Sequence, residues 1–128
     1  MILIGTKCRL EQTVTDALTA ANVGSGALPV FGTPYMSALM ENAACNAIAD
    51  ALEDGQSSVG TKLDVSHDAA TPVGMHVTAK AELVEVDRRR LVFRVTASDD
   101  AGPIGQGTHE RFLIMAEKFL AKAEAKKG

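Results

Sequence analysis

The sequence predicts an α+β fold in which an antiparallel sheet wraps around one long helix. Two patterns in the chain lead there. From Pro34 to Leu52, Met36, Leu39, Met40, Ala43, Ala44, Ala47, Ile48, Ala51 and Leu52 recur at the spacing of one helical face. From Val59 to Met115, apolar and polar residues alternate with period two, interrupted by clusters of Gly, Pro and Asp. A lone helix must bury its stripe, and the dry face of the sheet is the only surface that can receive it.

The elements follow in order. Residues 6–15 alternate loosely and carry β-branched side chains, so a first strand is expected there. The next stretch, ALTAANVGSGALPVFG, is rich in small residues and supports no firm element; its glycines and proline suggest a mobile loop. Thr33-Pro34 then opens the helix, with Thr33 read as the N-cap and Pro34 at the first helical position. Glu53-Asp54-Gly55 ends it. Val59, Thr61, Leu63, Val65 and His67 share the inward parity of the second strand. Met75, Val77, Ala79, Ala81 and Leu83 share that of the third, and Leu91, Phe93, Val95 and Ala97 that of the fourth. Asp87-Arg88-Arg89-Arg90 reads as a hairpin connection. A last long strand runs from Ile104 to Met115, with Ile104, Phe112 and Ile114 opposite in parity to His109. The tail from Ala116 to Lys127 reads as a short helix. The sheet keeps an exposed edge, which implies a symmetric partner.

With 128 residues, residues 1–128 form a single domain with room for a real core. A net charge of −3 gives no electrostatic case for nucleic acid. Aromatic residues are 4% of the chain, which argues against stacking surfaces for bases or sugars. No apolar run approaches the ~20 residues that span a bilayer, so no membrane partner is expected. The first residues, MILIGTKCRLEQ, lack a basic stretch and a cleavage pattern, so no signal peptide is expected. Cys8 and Cys45 are not spaced for a metal. Cys45 is expected to be a small buried hydrophobe, and a reduced, cytoplasmic protein is the default.

Three residues stand out chemically. Glu41 lies on the flank of the apolar helical face, and its neighbours three and four residues away, Ser37, Ala38, Ala44 and Cys45, include no cation. An unpaired carboxylate beside apolar surface suits a base or a nucleophile; a carboxylate pointing to water is the plainer alternative. Thr33 marks the positive end of the helix, where negative charge is stabilised, or is simply a cap. His67 closes a strand at the rim of the sheet, either as a satisfied core residue or reaching a cleft. Gly105 and Gly107 allow a bulge or a close backbone approach in the strand of His109. Arg88-Arg89-Arg90 is either a solvated hairpin tip or a landing site for phosphates, and the Lys-rich tail could serve likewise.

Three blocks together, VFGTPYMSALMENAAC, SSVGTKLDVSHDAATPVGMHVTAKAEL and IGQGTHERFLIMAEKF, resemble the fluoroacetyl-CoA thioesterase group of hotdog-fold acyl-CoA thioesterases. The resemblance runs from about Val30 to Phe119. It implies a hotdog fold and a catalytic set of Thr33, Glu41 and His67. It also implies that Gly60 offers its backbone N–H to the thioester carbonyl. Arg88, Arg89 and Arg90 would then hold the phosphates of CoA. The implied reaction is hydrolysis of a short- or medium-chain acyl-CoA, with no cofactor beyond the CoA of the substrate. The implied assembly is a homodimer, or a dimer of dimers, with the pocket at the subunit seam. A hydratase or dehydratase acting on acyl thioesters, and a non-catalytic acyl-CoA-binding module, are the alternatives. One departure is local: bulky aromatics close the pocket in the fluoroacetyl-specific enzyme, whereas Asn22 to Leu28 here are small.

Overall fold

The computed structural model describes residues 1–128. Its strands are β1 (Lys7–Thr13), β2 (Gln56–His67), β3 (His76–Asp87), β4 (Arg90–Asp99) and β5 (Gly102–Met115). Its helices are α1 (Ala20–Val23), α2 (Thr33–Ile48) and α3 (Ala116–Glu124). The strands form one antiparallel sheet in the order β1-β3-β4-β5-β2, so β1 and β2 are the free edges.

The helix stripe and the sheet face meet as expected. Met36, Leu39, Met40, Ala43, Ala44 and Ile48 of α2 are buried against Val77, Ala79, Ala81 and Leu83 of β3 and Leu91, Phe93, Val95 and Ala97 of β4. Ala43, Ala44, Ala79 and Ala81 add little bulk between the backbones, so the helix sits close to the sheet. Ala47 and Leu52 are only partly buried at its margin.

Four local expectations are corrected. Gly32, not Thr33, caps α2, and no side chain bonds the cap, because the Thr33 hydroxyl is engaged elsewhere. The helix ends at Ile48 and tightens into a 3-10 turn over Ala49–Ala51. Gly55, at φ 77°, therefore serves the turn into β2 rather than the helix terminus. In β5 the inward residues are His109, Arg111 and Leu113, whereas Phe112 is exposed. The inversion has a cause in the pairing: Ala97 lies opposite Gly105 and Ser98 opposite Pro103, so Ile104, itself buried, is an extra residue across which the parity of β5 flips. Cys45 is half-buried rather than enclosed.

The small-residue loop is tied at both ends. Isolated bridges join Thr19 to Phe31 and Val30 to Pro72, and α1 ends in a left-handed Gly24. Gly105 and Gly107 bring β5 hard against β2. A Cβ at Gly105 would lie 2.5 Å from the Ser66 carbonyl oxygen, and one at Gly107 would overlap the Asp64 carbonyl oxygen outright.

Candidate active site

Thr33, Ser37, Glu41 and Cys45 recur every four residues and so lie along one line of α2. That line faces the edge strand β2, which supplies the two partners of the site.

At the N-terminal end, the Thr33 hydroxyl lies 2.7 Å from Nδ1 of His67, the last residue of β2. The other ring nitrogen of His67, Nε2, is buried and has no hydrogen-bond partner. A ring held at one nitrogen and left free at the other is placed to pass a proton. A cleft of about 240 Å³ opens over this pair, lined by Ala20, Ser25, Val30, Phe31 and Ala70 among others.

Two turns further along α2, the half-buried Glu41 carboxylate approaches Gly60 of β2. Oε2 lies 3.0 Å from the point a Cβ on Gly60 would occupy. The same point is 3.1 Å from Cε1 of His109 and 3.3 Å from Nη1 of Arg111. Glu41 forms no ion pair within 4.0 Å. Only a glycine leaves this meeting point clear.

His109 and Arg111 were not among the candidate residues read from the sequence. Both are buried, at 1% and 6% exposure. Arg111 donates from Nε to the Ser58 hydroxyl (2.9 Å), from Nη2 to the Ser58 carbonyl (3.0 Å) and from Nη1 to His109 Nε2 (3.1 Å). Because a guanidinium only donates, His109 Nε2 must be the acceptor and its proton sits on Nδ1, which donates to the Lys62 carbonyl at 2.8 Å. Burial, and secondarily the Arg111 charge, pushes the His109 pKa below its usual value; the Lys62 bond and the charges of Glu41 and Glu110 oppose this only in part. The sequence signal available was the pair of polar residues two apart in GTHER, which an alternation rule assigns to the wet face.

The structure thus brings Thr33 to His67 and Glu41 to Gly60, as two separate pairs about 12 Å apart along the helix; within one chain it does not bring Glu41 into the cleft of Thr33 and His67. The three arginines lie apart from it. Arg88, with φ 56°, and Arg89 are exposed at the hairpin tip. Arg89 also borders a cleft of about 290 Å³ with Lys118 and Lys122 of α3. Arg90 is committed elsewhere: Nε donates to Glu110 (2.8 Å) and Nη1 to Glu85 (2.7 Å).

Known proteins share this arrangement of chain. The family model for the fluoroacetyl-CoA-specific thioesterase matches residues 14–117. A fluoroacetyl-CoA thioesterase of Streptantibioticus cattleyicolor is 52% identical over 97 residues, 76% of this chain and 70% of that protein. A solved structure of the fluoroacetyl-CoA thioesterase FlK superposes with a TM-score of 0.92 at 41% identity, covering 98% of each chain. A hot-dog-like protein from Thermanaerovibrio acidaminovorans, at 24% identity and a TM-score of 0.89 over 98% of this chain and 93% of that one, shares the fold. With a family match over most of its length and a curated relative above half identity, this hotdog-fold chain belongs to the fluoroacetyl-CoA-specific thioesterase family.

Proposed function

We propose that this protein hydrolyses short- or medium-chain acyl-CoA thioesters to the free acid and CoA. The observation that carries the reading is the 2.7 Å bond between Thr33 and His67, with the second ring nitrogen of His67 buried and free. In the proposed reaction, the Glu41 carboxylate either attacks the thioester carbonyl, giving an acyl anhydride on Glu41 that water then hydrolyses to the free acid, or takes a proton from a water that attacks directly. The Gly60 N–H stabilises the oxyanion as it forms. His67, oriented by Thr33, delivers the proton with which CoA departs as a thiol.

The acyl range is proposed to be broader than fluoroacetyl. Residues 22–28 are exposed and carry no aromatic side chain, so the cleft over Thr33 and His67 stays open. The working unit is proposed to be a homodimer joined along a free sheet edge. Two unpaired edge strands support this, and β2 carries both Gly60 and His67. Arg88 and Arg89 are proposed to meet the phosphates of CoA. No helix is long and apolar enough to cross a membrane, and both cysteines are free, which supports a cytoplasmic location.

Thiol release measured across acyl-CoA chain lengths tests the activity. The parent is expected to release CoA, and Glu41→Gln to lose at least about 100-fold in kcat while keeping its fold. Hydration of an enoyl substrate without free CoA, or a Glu41→Gln variant at parental rate, would overturn the reading.

A further inference from the structure

We infer that His109 is a positioning residue, whose ring replaces a backbone donor lost at a bulge in β2 and thereby sets the direction of the Gly60 backbone. This rests on the hydrolase reading only where it concerns rate; the structural part stands without it.

The pairing of β2 with β5 carries one residue too many. Gly60 lies opposite Arg111 and Lys62 opposite Glu110, so Thr61 has no partner of its own. A bulge of this kind breaks the regular ladder and re-aims the strand, and the backbone groups it releases need other partners. Two side chains supply them. The Thr61 hydroxyl donates to the Glu110 carbonyl at 3.3 Å, and the His109 ring donates to the Lys62 carbonyl at 2.8 Å. The His109 bond is the shorter and the more enclosed.

The ring is itself fixed from behind. Arg111 donates to Nε2, and Ser58 holds Arg111 through both its hydroxyl and its carbonyl. Ser58, Gly60 and Lys62 therefore belong to one short run of β2, secured at both ends by the two side chains of β5. Between those fixed points lies Gly60, whose missing Cβ leaves room for the His109 ring edge, the Arg111 guanidinium and the Glu41 carboxylate. Neither ring nitrogen of His109 is free to exchange a proton with a substrate, so His109 acts through Gly60 rather than on the thioester. A second ring proton would point at an N–H of Arg111, so the neutral form with its proton on Nδ1 is the one that holds the bulge.

The variants His109→Ala and His109→Asn test this, read by the backbone ¹⁵N order parameters of Gly60 and Thr61 and by steady-state kinetics. His109→Ala removes the donor. Lower order parameters at Gly60 and Thr61 are expected, with kcat for acyl-CoA at least about tenfold lower and KM within about twofold. His109→Asn keeps an N–H near the Nδ1 position and is expected to restore most of both. Parental order at the bulge in His109→Ala overturns the inference, and so does a kcat loss that asparagine leaves untouched. Should His109→Ala not fold, the ¹⁵N signals of His109 in the parent decide: protonation at Nε2 rather than Nδ1 at neutral pH overturns the assignment. A parent that releases no thiol from any acyl-CoA would defeat the hydrolase reading while leaving the order parameters interpretable.

Discussion

Thr33 and His67 stand 34 positions apart in sequence and 2.7 Å apart in space, hydroxyl to Nδ1. The first residue of α2 and the last residue of β2 thus share one hydrogen bond at the rim of the sheet. The hydroxyl that would ordinarily cap the helix is directed at the imidazole instead, and Gly32 takes the capping position without a side-chain bond.

Removing that hydroxyl should free the imidazole to rotate. Thr33→Ala is expected to lower kcat/KM by on the order of 100-fold. Thr33→Ser, which keeps the hydroxyl, is expected to stay within about tenfold of the parent. Thiol-release kinetics on both variants check this. Equal losses in the two would mean that the methyl group, not the hydrogen bond, matters.

A methyl group at Gly60 would meet Glu41, His109 and Arg111 at 3.0, 3.1 and 3.3 Å. Two of these neighbours are held by hydrogen bonds and cannot step aside easily. Gly60→Ala is expected to cost about 1–3 kcal/mol of stability by overpacking. Its kcat should fall at least about tenfold through misdirection of the backbone donor. Chemical denaturation and turnover measured on the same preparation separate the two effects. Full activity in this variant would remove Gly60 from the site.

The arginines are expected to divide. Arg89→Ala should raise KM for acyl-CoA several-fold and leave acyl-pantetheine, which lacks the nucleotide phosphates, unaffected. Arg90→Ala should leave both KM values alone and lower the melting temperature only slightly, because solvent-screened ion pairs such as those with Glu85 and Glu110 contribute little. Steady-state kinetics with the two substrates and a melting curve for each variant are the checks. A KM change on Arg90→Ala would mean that its ion pairs open to admit substrate.

Stability should fall with acid in two stages. Burial lowers the His109 pKa, so below about pH 6.5 the unfolded chain binds a proton that the folded chain does not, and unfolding gains. Above that pH both forms are neutral and the effect vanishes. Asp99 is likewise lowered, first by the Thr71 hydroxyl at 2.7 Å and then by the N–H groups of Ala101 and Gly102. Its contribution is present above about pH 4, the unfolded carboxyl range, and disappears as pH falls through the folded value. Thermal midpoints from pH 8 to pH 3 are expected to show both declines. His109→Asn should flatten the first and Asp99→Asn the second.

Much of this architecture could be read from the chain because β3 and β4 alternate without interruption. Val77, Ala79, Ala81 and Leu83, and Leu91, Phe93, Val95 and Ala97, are all buried as their parity requires. The face of α2 was equally plain, since 3.6-residue spacing survives any choice of end point. β5 was not, because His109 and Arg111 are polar residues turned inward. What makes them tolerable there is a set of hydrogen bonds to Ser58 and Lys62, about fifty residues away, which no local pattern encodes. The single carbon missing at Gly60 was visible in the sequence, but the crowd around it was not. The loop before α2 gave no firm element because its order depends on bridges to Phe31 and Pro72 rather than on its own propensities.

The squeeze between β5 and β2 limits which sequences this chain can accept. At Gly105 and Gly107 even the smallest chiral residue would collide with the opposing backbone, so drift at those two positions is closed to anything but glycine. The neighbouring loop from Asn22 to Leu28 is wholly exposed, and within it only Gly24, at φ 82°, is held to glycine by its backbone. Change in what the cleft admits can therefore accumulate on the loop while the strands that frame the chemistry stay fixed.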